Sequence, residues 1–339
     1  MDKLQIPPDL VKKLEKEGTF INIEREQKKV TVLFIYLTAF SHMFKKHDTE
    51  TVFAIIDLYF RMLHSIVQKN NGIVNKFIGD SLMAVWGLPV PHANDAYNAV
   101  RTAIEMRMGI FHLIPELVRI GTVPLEVGIG IGTSTATCGF IGPSSVRDFT
   151  LVGECILKAA RLELMASDNR IFIDRTTAEE VRPYSYLISI PHGSRPYILK
   201  NEKIYELEGI YELSQEFESV RRYPRVIVAK AVGITKSSTK KRKVGLIRSI
   251  GEGGLGIEMH ENKDFNLEIG EKIIIDSRHL SLLGTNKING IVIRKQELQG
   301  EGIIYLKKWD IGIKLLELPE KTKKILEKAI VGRTMIKNL

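Results

Sequence analysis

Cysteine is scarce in this chain. Cys138 and Cys155 are the only two in 339 residues, and they have neither a disulfide framework nor the spacing of a zinc site. That usage suits a reducing compartment. No apolar run is long enough to cross a bilayer, and the opening MDKLQIPPDL lacks the hydrophobic region of a signal peptide. The expectation is a cytoplasmic protein with no membrane span. Acidic residues are thin in the last third, where Ser214 to the C-terminus carries 25 Lys and Arg against 15 Asp and Glu. The whole formal excess of +9 therefore sits there and calls for an anionic partner. Charge alone leaves nucleotide, nucleic acid and membrane surface equally open.

What the chain does have is ordinary globular composition, 44% hydrophobic and 26% charged, with enough length for two domains that each bury a core. Residues 6 to 17 read as a short amphipathic helix opened by Pro8 and Asp9. VTVLFIYLTAF (Val30 to Phe40) reads as a central strand. Asp48 is the expected N-cap of a helix that buries Val52, Ile55, Ile56, Tyr59, Leu63 and Ile66 and stops at Asn71-Gly72. GIVNKFIGDSLMAVWG (Gly72 to Gly87) then forms a hairpin around Gly79-Asp80. A helix starts at Asp95, with Pro115 expected to limit its unbroken run. LEVGIGIGTSTATCGFIG (Leu125 to Gly142) reads as a further hairpin, glycine-rich where a backbone or ligand must approach closely. DFTLVG, the helix ECILKAARLEL and the strands RIFID and KIYELEGI complete an α+β pattern of helices over an antiparallel sheet. From Arg221 the pattern is almost wholly strand-like, ending in the helical EKTKKILEKAI, which suggests a small β-barrel. The boundaries are 1–27 for an N-terminal helix and connector, 28–213 for the α+β domain and 214–339 for the barrel.

An Asp in a turn most often bonds its own backbone, and a strand Lys most often lies on a solvated face. Here the pair belongs to KFIGDSLMAVWG, which closely resembles the central hairpin of class III nucleotidyl cyclases. VTVLFIYLTAFS resembles that family's first strand and phosphate-binding turn, and VGIGIGTSTATCGFIG and RDFTLVGECILKAARLE resemble its later segments in the same order. The resemblance implies a ferredoxin-like cyclase homology domain over roughly residues 28 to 210. It implies metal binding (Mg²⁺ or Mn²⁺) at Asp80, base recognition by Lys76 and Asp148, phosphate approach at Phe40 and Ser41, and transition-state stabilisation by Arg161. Lys76 can donate to ring N1 of adenine and Asp148 can accept from its exocyclic amine, whereas guanine presents the opposite pattern.

Four positions depart from the family. Tyr36 stands where the second metal-bridging Asp is expected, and a phenol with a pKa of about 10 is a weak replacement. Leu157 stands where an Asn holds the ribose. Ala39 and Ser134 replace glycines, and Lys200 or Lys203 are loose candidates for a late phosphate contact. The C-terminal part resembles a PilZ domain, a small bacterial barrel that often receives cyclic di-GMP. Arg221 and Arg225 satisfy its RxxxR turn, while Ser249, Gly251 and Gly254 fall at the positions of its (D/N)xSxxG strand, so cyclic di-GMP binding is expected to be weak or absent.

Three functions stay open at this point. The favoured one is a non-enzymatic bacterial regulator, dimerising or sensing an adenine nucleotide, with both domains degenerate. The second is an adenylate cyclase with an atypical metal site or a heterodimeric partner, regulated through the PilZ domain. The third is a scaffold that binds no nucleotide. None of the three has DNA as its partner.

Overall fold

The computed structural model describes residues 3–18, 25–38, 40–120, 125–143, 145–191, 199, 202–211, 225–261, 264–278, 280–298 and 307–326. The chain divides into two compact units. The first comprises Met1–Gly109, Leu125–Arg182 and Leu187–Leu207, and the second Ile110–Pro124, Pro183–Tyr186 and Glu208–Leu339.

The first unit opens with β1 (Lys3–Gln5) and α1 (Pro8–Glu17), the latter started by proline and closed by left-handed Gly18. Strand β2 (Glu26–Leu37) follows, then the short α2 (Phe40–Met43) and the long α3 (Thr49–Lys69). Asp48 caps α3 by accepting from the Thr51 amide at 2.8 Å, as expected, and Val52, Ile55, Tyr59, Leu63 and Val67 form its buried face. The Gly79-Asp80 turn joins β3 (Ile73–Ile78) to β4 (Ser81–Trp86). Helix α4 (Asp95–Ile120), which belongs to the first unit up to Gly109 and to the second from Ile110, then runs through Pro115 instead of stopping before it. A proline inside a helix loses one backbone bond, but Ile110, Phe111 and Leu117 on either side are buried, and that burial holds the helix.

The segment read as a hairpin over Leu125 to Gly142 is instead one long strand, β5 (Val127–Ile141), and the hairpin partner is β6 (Val146–Val152). The glycines are there for a helix. α5 (Glu154–Met165) lies across β5, and a Cβ on Gly130 would overlap the Ala159 carbonyl oxygen and the Glu163 amide nitrogen. A Cβ on Gly132 would lie 2.8 Å from the Cys155 carbonyl oxygen. Strand β7 (Ile171–Asp174), α6 (Arg175–Val181), β8 (Ser185–Ser189) and β9 (Ile204–Tyr211) follow. The sheet order is β9-β7-β5-β2-β4-β3, with β6 on β5 and β1 on β6. β2 sits at its centre, antiparallel to both β4 and β5.

The second unit is a closed six-stranded antiparallel barrel of β10 (Arg225–Lys236), β11 (Arg242–Gly251), β12 (Gly254–Glu261), β13 (Lys272–Asp276), β14 (Lys287–Glu297) and β15 (Lys307–Leu315). Its ladder runs β10-β11-β12-β15-β14-β13 and back to β10. Val226, Ile234, Ile257, Ile275, Val292 and Ile313 fill it, and Ile325 and Leu326 of the helical stretch 320–326 join the same core. Glu258 is buried with His112 Nε2 and Lys308 Nζ each at 2.7 Å; burial pulls its carboxyl up, and the contacts with these two groups outweigh it and hold it down at about 2. The α+β class and the small barrel thus match the sequence reading. Most of the expected strand GIIYLKK, the C-terminal half of the last helix and the segment 212–224 lie outside the described residues.

Gly130→Ala is expected to lower stability by about 2 kcal/mol or more, because backbone rather than a flexible side chain must move. Thermal denaturation checks this; an unchanged midpoint contradicts the packing described.

Candidate functional site

Lys76 and Asp148 are 72 residues apart in sequence and adjacent in space: the Lys76 ammonium donates to Asp148 Oδ2. Lys76 is on β3, immediately after a register shift between Val74 and Lys76 in the pairing with β4. Asp148 is on β6, opposite Ile141 of β5. Their side chains are 32% and 43% exposed, so water screens the pair and opening it costs about 1 kcal/mol or less. An ammonium donor beside a carboxylate acceptor is the hydrogen-bonding complement of the adenine edge.

Around Asp80 the arrangement is different. β2 pairs with β4 so that Tyr36 lies opposite Ser81, which brings position 36 beside the Gly79-Asp80 turn. The Tyr36 hydroxyl donates to the Ala166 carbonyl at 3.1 Å, just past the end of α5. Burial, and then the negative charges of Glu163, Asp80 and Asp168, push its phenol pKa up. Tyr36 is therefore a neutral donor and not an anionic ligand. Among the described residues no group of three or more His, Cys, Asp or Glu is arranged to hold a metal ion. The residues present do not fit a carboxylate-bridged pair of divalent ions.

Glu163, which sequence reasoning passed over, is the other carboxylate here. It is 6% exposed, accepts from Ser81 Oγ at 3.0 Å, and is pushed up to about 7 by burial, with Asp80 adding to the shift. Its only signal in the sequence was its place at the end of AARLE. Ser134, read as a departure from glycine, has a structural role: its Oγ accepts from the Cys155 amide at 3.1 Å in the first turn of α5. A side chain from β5 thus does the work of a cap, since Gly153 offers none.

On α5, Leu157 is 59% exposed and Arg161 is exposed, so both sit on the open side of the helix while Ala159 and Leu162 face inward. Phe40 is half-buried in α2, its ring edge-on to Phe44 at 5.2 Å. Lys203 is exposed beside β9. Ala39, Lys200 and the side chain of Ser41 lie outside the described residues. In the barrel, Arg225 Nη1 donates to Ser249 Oγ at 3.3 Å, while Arg221 lies outside the described residues. Gly254 has a structural reason to be glycine, with φ +130° and a Cβ position that would overlap the Ile313 carbonyl oxygen.

Comparison with known proteins places the first unit. Residues 23–209 match the family described as the adenylate and guanylate cyclase catalytic domain. The chain belongs to that family. It is 29% identical over 167 residues to Adenylate cyclase 1 of Rhizobium meliloti, covering 49% of this chain and 25% of that protein. It is 26% identical over 159 residues to the terminal-differentiation specific adenylate cyclase of Dictyostelium discoideum, covering 45% of this chain and 7% of that one. The chain thus spans a quarter or less of the length of these two relatives. Among solved structures, the adenylyl cyclase CyaB from P. aeruginosa aligns with TM-score 0.50 and 28% identity over 54% of this chain and 95% of that one. A bacterial light-regulated adenylyl cyclase aligns with TM-score 0.51 and 21% identity, covering 60% of this chain and 58% of that one, which speaks to the fold alone. No described helix is long and apolar enough to cross a membrane.

Burial holds the Glu163 carboxyl up at about 7 in the folded chain, above the ordinary carboxylate range that applies once it is unfolded. Its contribution is fully present below about pH 4.5 and is lost as pH rises through about 7. Glu163→Gln, which keeps the acceptor for Ser81, is therefore expected to be more stable than the parent at pH 8, by on the order of 2 kcal/mol, and nearly equal at pH 4.5. Urea denaturation at the two pH values measures this. A difference independent of pH contradicts it.

Proposed function

We propose that the cyclase-family unit binds an adenine nucleotide and, as a homodimer, turns it over little or not at all, serving a bacterial signalling protein as a nucleotide-responsive or dimerising regulator. The observation that carries this reading is the asymmetry of the site. Lys76 and Asp148 stand together as a base-reading pair, while the Tyr36 hydroxyl is committed to the Ala166 carbonyl where a second carboxylate would be needed. Exposed Leu157, at the family's ribose-holding position, cannot hydrogen-bond.

A second reading, an adenylate cyclase working with a heterodimer partner, is favoured by retained Asp80, Lys76, Asp148 and Arg161 and by the names of the relatives. A partner supplying a complete carboxylate pair could use the base-reading pair and Arg161 of this chain, with Mg²⁺ or Mn²⁺ as cofactor. The scaffold reading has no such support, because an interaction surface has no need of an adenine-complementary pair.

For the barrel, we propose a PilZ-like unit with weak cyclic di-GMP affinity. The Arg225 to Ser249 contact supports it, since a guanidinium suits phosphate and guanine faces and Ser249 retains one hydroxyl.

Three measurements test these readings. ATP is expected to bind at least about tenfold more tightly than GTP by calorimetry, with Lys76→Ala removing the preference, and Tyr36→Asp combined with Leu157→Asn is expected to raise cyclic AMP formation about tenfold or more. Equal ATP and GTP affinities, or unchanged turnover in the double variant, contradict the reading. Micromolar or weaker cyclic di-GMP binding is expected to disappear in Arg225→Ala, and binding that survives that change excludes the proposed barrel site.

A further inference from the structure

The strands that carry Lys76 and Asp148 are both gripped by one short segment, residues 3–17. Strand β1 pairs in parallel with β6, setting Lys3 against Val146, Leu4 against Arg147 and Gln5 against Asp148 itself. Four residues beyond Gln5, Asp9 opens α1 and is 7% exposed. Its Oδ2 accepts from the Val74 amide at 3.2 Å, and its Oδ1 accepts from Gln68 Nε2 at 2.9 Å and His64 Nε2 at 3.1 Å. A buried carboxylate held by three donors is costly to disturb and fixes the groups that donate to it.

The place it fixes matters. Val74 pairs with Ala84 and Lys76 with Met83, so Asn75 is the extra residue of a bulge, and a bulge re-aims the side chain that follows it. Asp9 therefore holds the amide on the near side of the irregularity that directs Lys76. Lys13, one turn further along α1, donates to the Asn71 carbonyl at 2.8 Å and the Leu88 carbonyl at 3.2 Å, tethering the approach to β3. Leu10, with half-buried Ile6 and Leu14, packs into the core shared by Ile73, Met83 and Phe149.

We propose that Asp9 is a positioning residue for the base-reading pair: through Val74 it sets the aim of Lys76, and with β1 alongside Asp148 it makes residues 3–17 a strap that determines base discrimination. This rests on the adenine reading above. A carboxylate that merely stabilised the fold would change the unfolding midpoint and leave the ratio of ATP to GTP affinity alone.

The test compares the full chain with Lys76→Ala, Asp9→Ala and Asp9→Asn by calorimetry with ATP and GTP, and follows amide hydrogen exchange at Val74 and Lys76. Asp9→Ala is expected to cut the ATP preference roughly fivefold and speed exchange at both amides, and Asp9→Asn, whose amide oxygen can take the Oδ2 place and accept from Val74 while its nitrogen gives up the acceptor for Gln68 and His64, is expected to restore part of both. Lys13→Ala, which removes the two bonds to the Asn71 and Leu88 carbonyls, serves if Asp9→Ala does not fold, and is expected to lower the preference about twofold. A folded Asp9→Ala protein with unchanged preference, beside a Lys76→Ala protein that has lost it, overturns the strap and leaves the adenine reading intact. A Lys76→Ala protein with unchanged preference overturns the adenine reading instead; amide exchange then decides the strap, and equal rates in Asp9→Ala overturn it too.

Discussion

The close seating of α5 on the glycine face of β5 is the constraint on which the rest of the first unit depends. Gly130 and Gly132 leave no room for a Cβ between strand and helix, so the helix axis is fixed to backbone and not to adaptable side chains. Two further contacts pin its ends. Ser134 supplies an acceptor at its start and the Tyr36 hydroxyl reaches the carbonyl just past its finish. With the helix held this way, Leu157 and Arg161 face outward and Glu163 faces the Asp80 turn.

That placement divides the site into two halves with opposite chemistry. On one side Lys76 and Asp148 are half-exposed and weakly paired, an ammonium donor beside a carboxylate acceptor. On the other, a neutral phenol stands beside the Asp80 turn, and burial holds the Glu163 carboxyl up at about 7. Two divalent ions need anionic oxygens on both sides to stabilise attacking and leaving groups. Under the proposed reading, the Lys76–Asp148 pair is the part kept for recognition and the Tyr36 position is the part lost to catalysis.

Much of this was legible in the sequence, where local rules decide. The capped and amphipathic α3, the Gly79-Asp80 hairpin and the barrel strands follow from periodicity and turn chemistry. The glycine run was misread as a hairpin because alternate glycines in a long strand look like turn residues until the helix that fills their place is known. Pro115 was misread because burial of its neighbours outweighs a local breaker. The meeting of Lys76 with Asp148 was accessible only through family resemblance, since no periodic signal links residues 72 apart. Asp9 and Glu163 gave less warning still: a lone carboxylate whose partners are an amide or a hydroxyl dozens of residues away leaves no local mark.

The central claim is that this chain retains base recognition without turnover. Its most direct test is cyclic nucleotide formation by the unmodified full chain, incubated with ATP in Mg²⁺ and in Mn²⁺, with and without cyclic di-GMP, and quantified by mass spectrometry against a Lys76→Ala, Asp80→Ala control. The account predicts cyclic AMP no higher than in the control under every condition. Cyclic AMP well above it would make the homodimer an enzyme despite Tyr36 and Leu157, and would contradict the account.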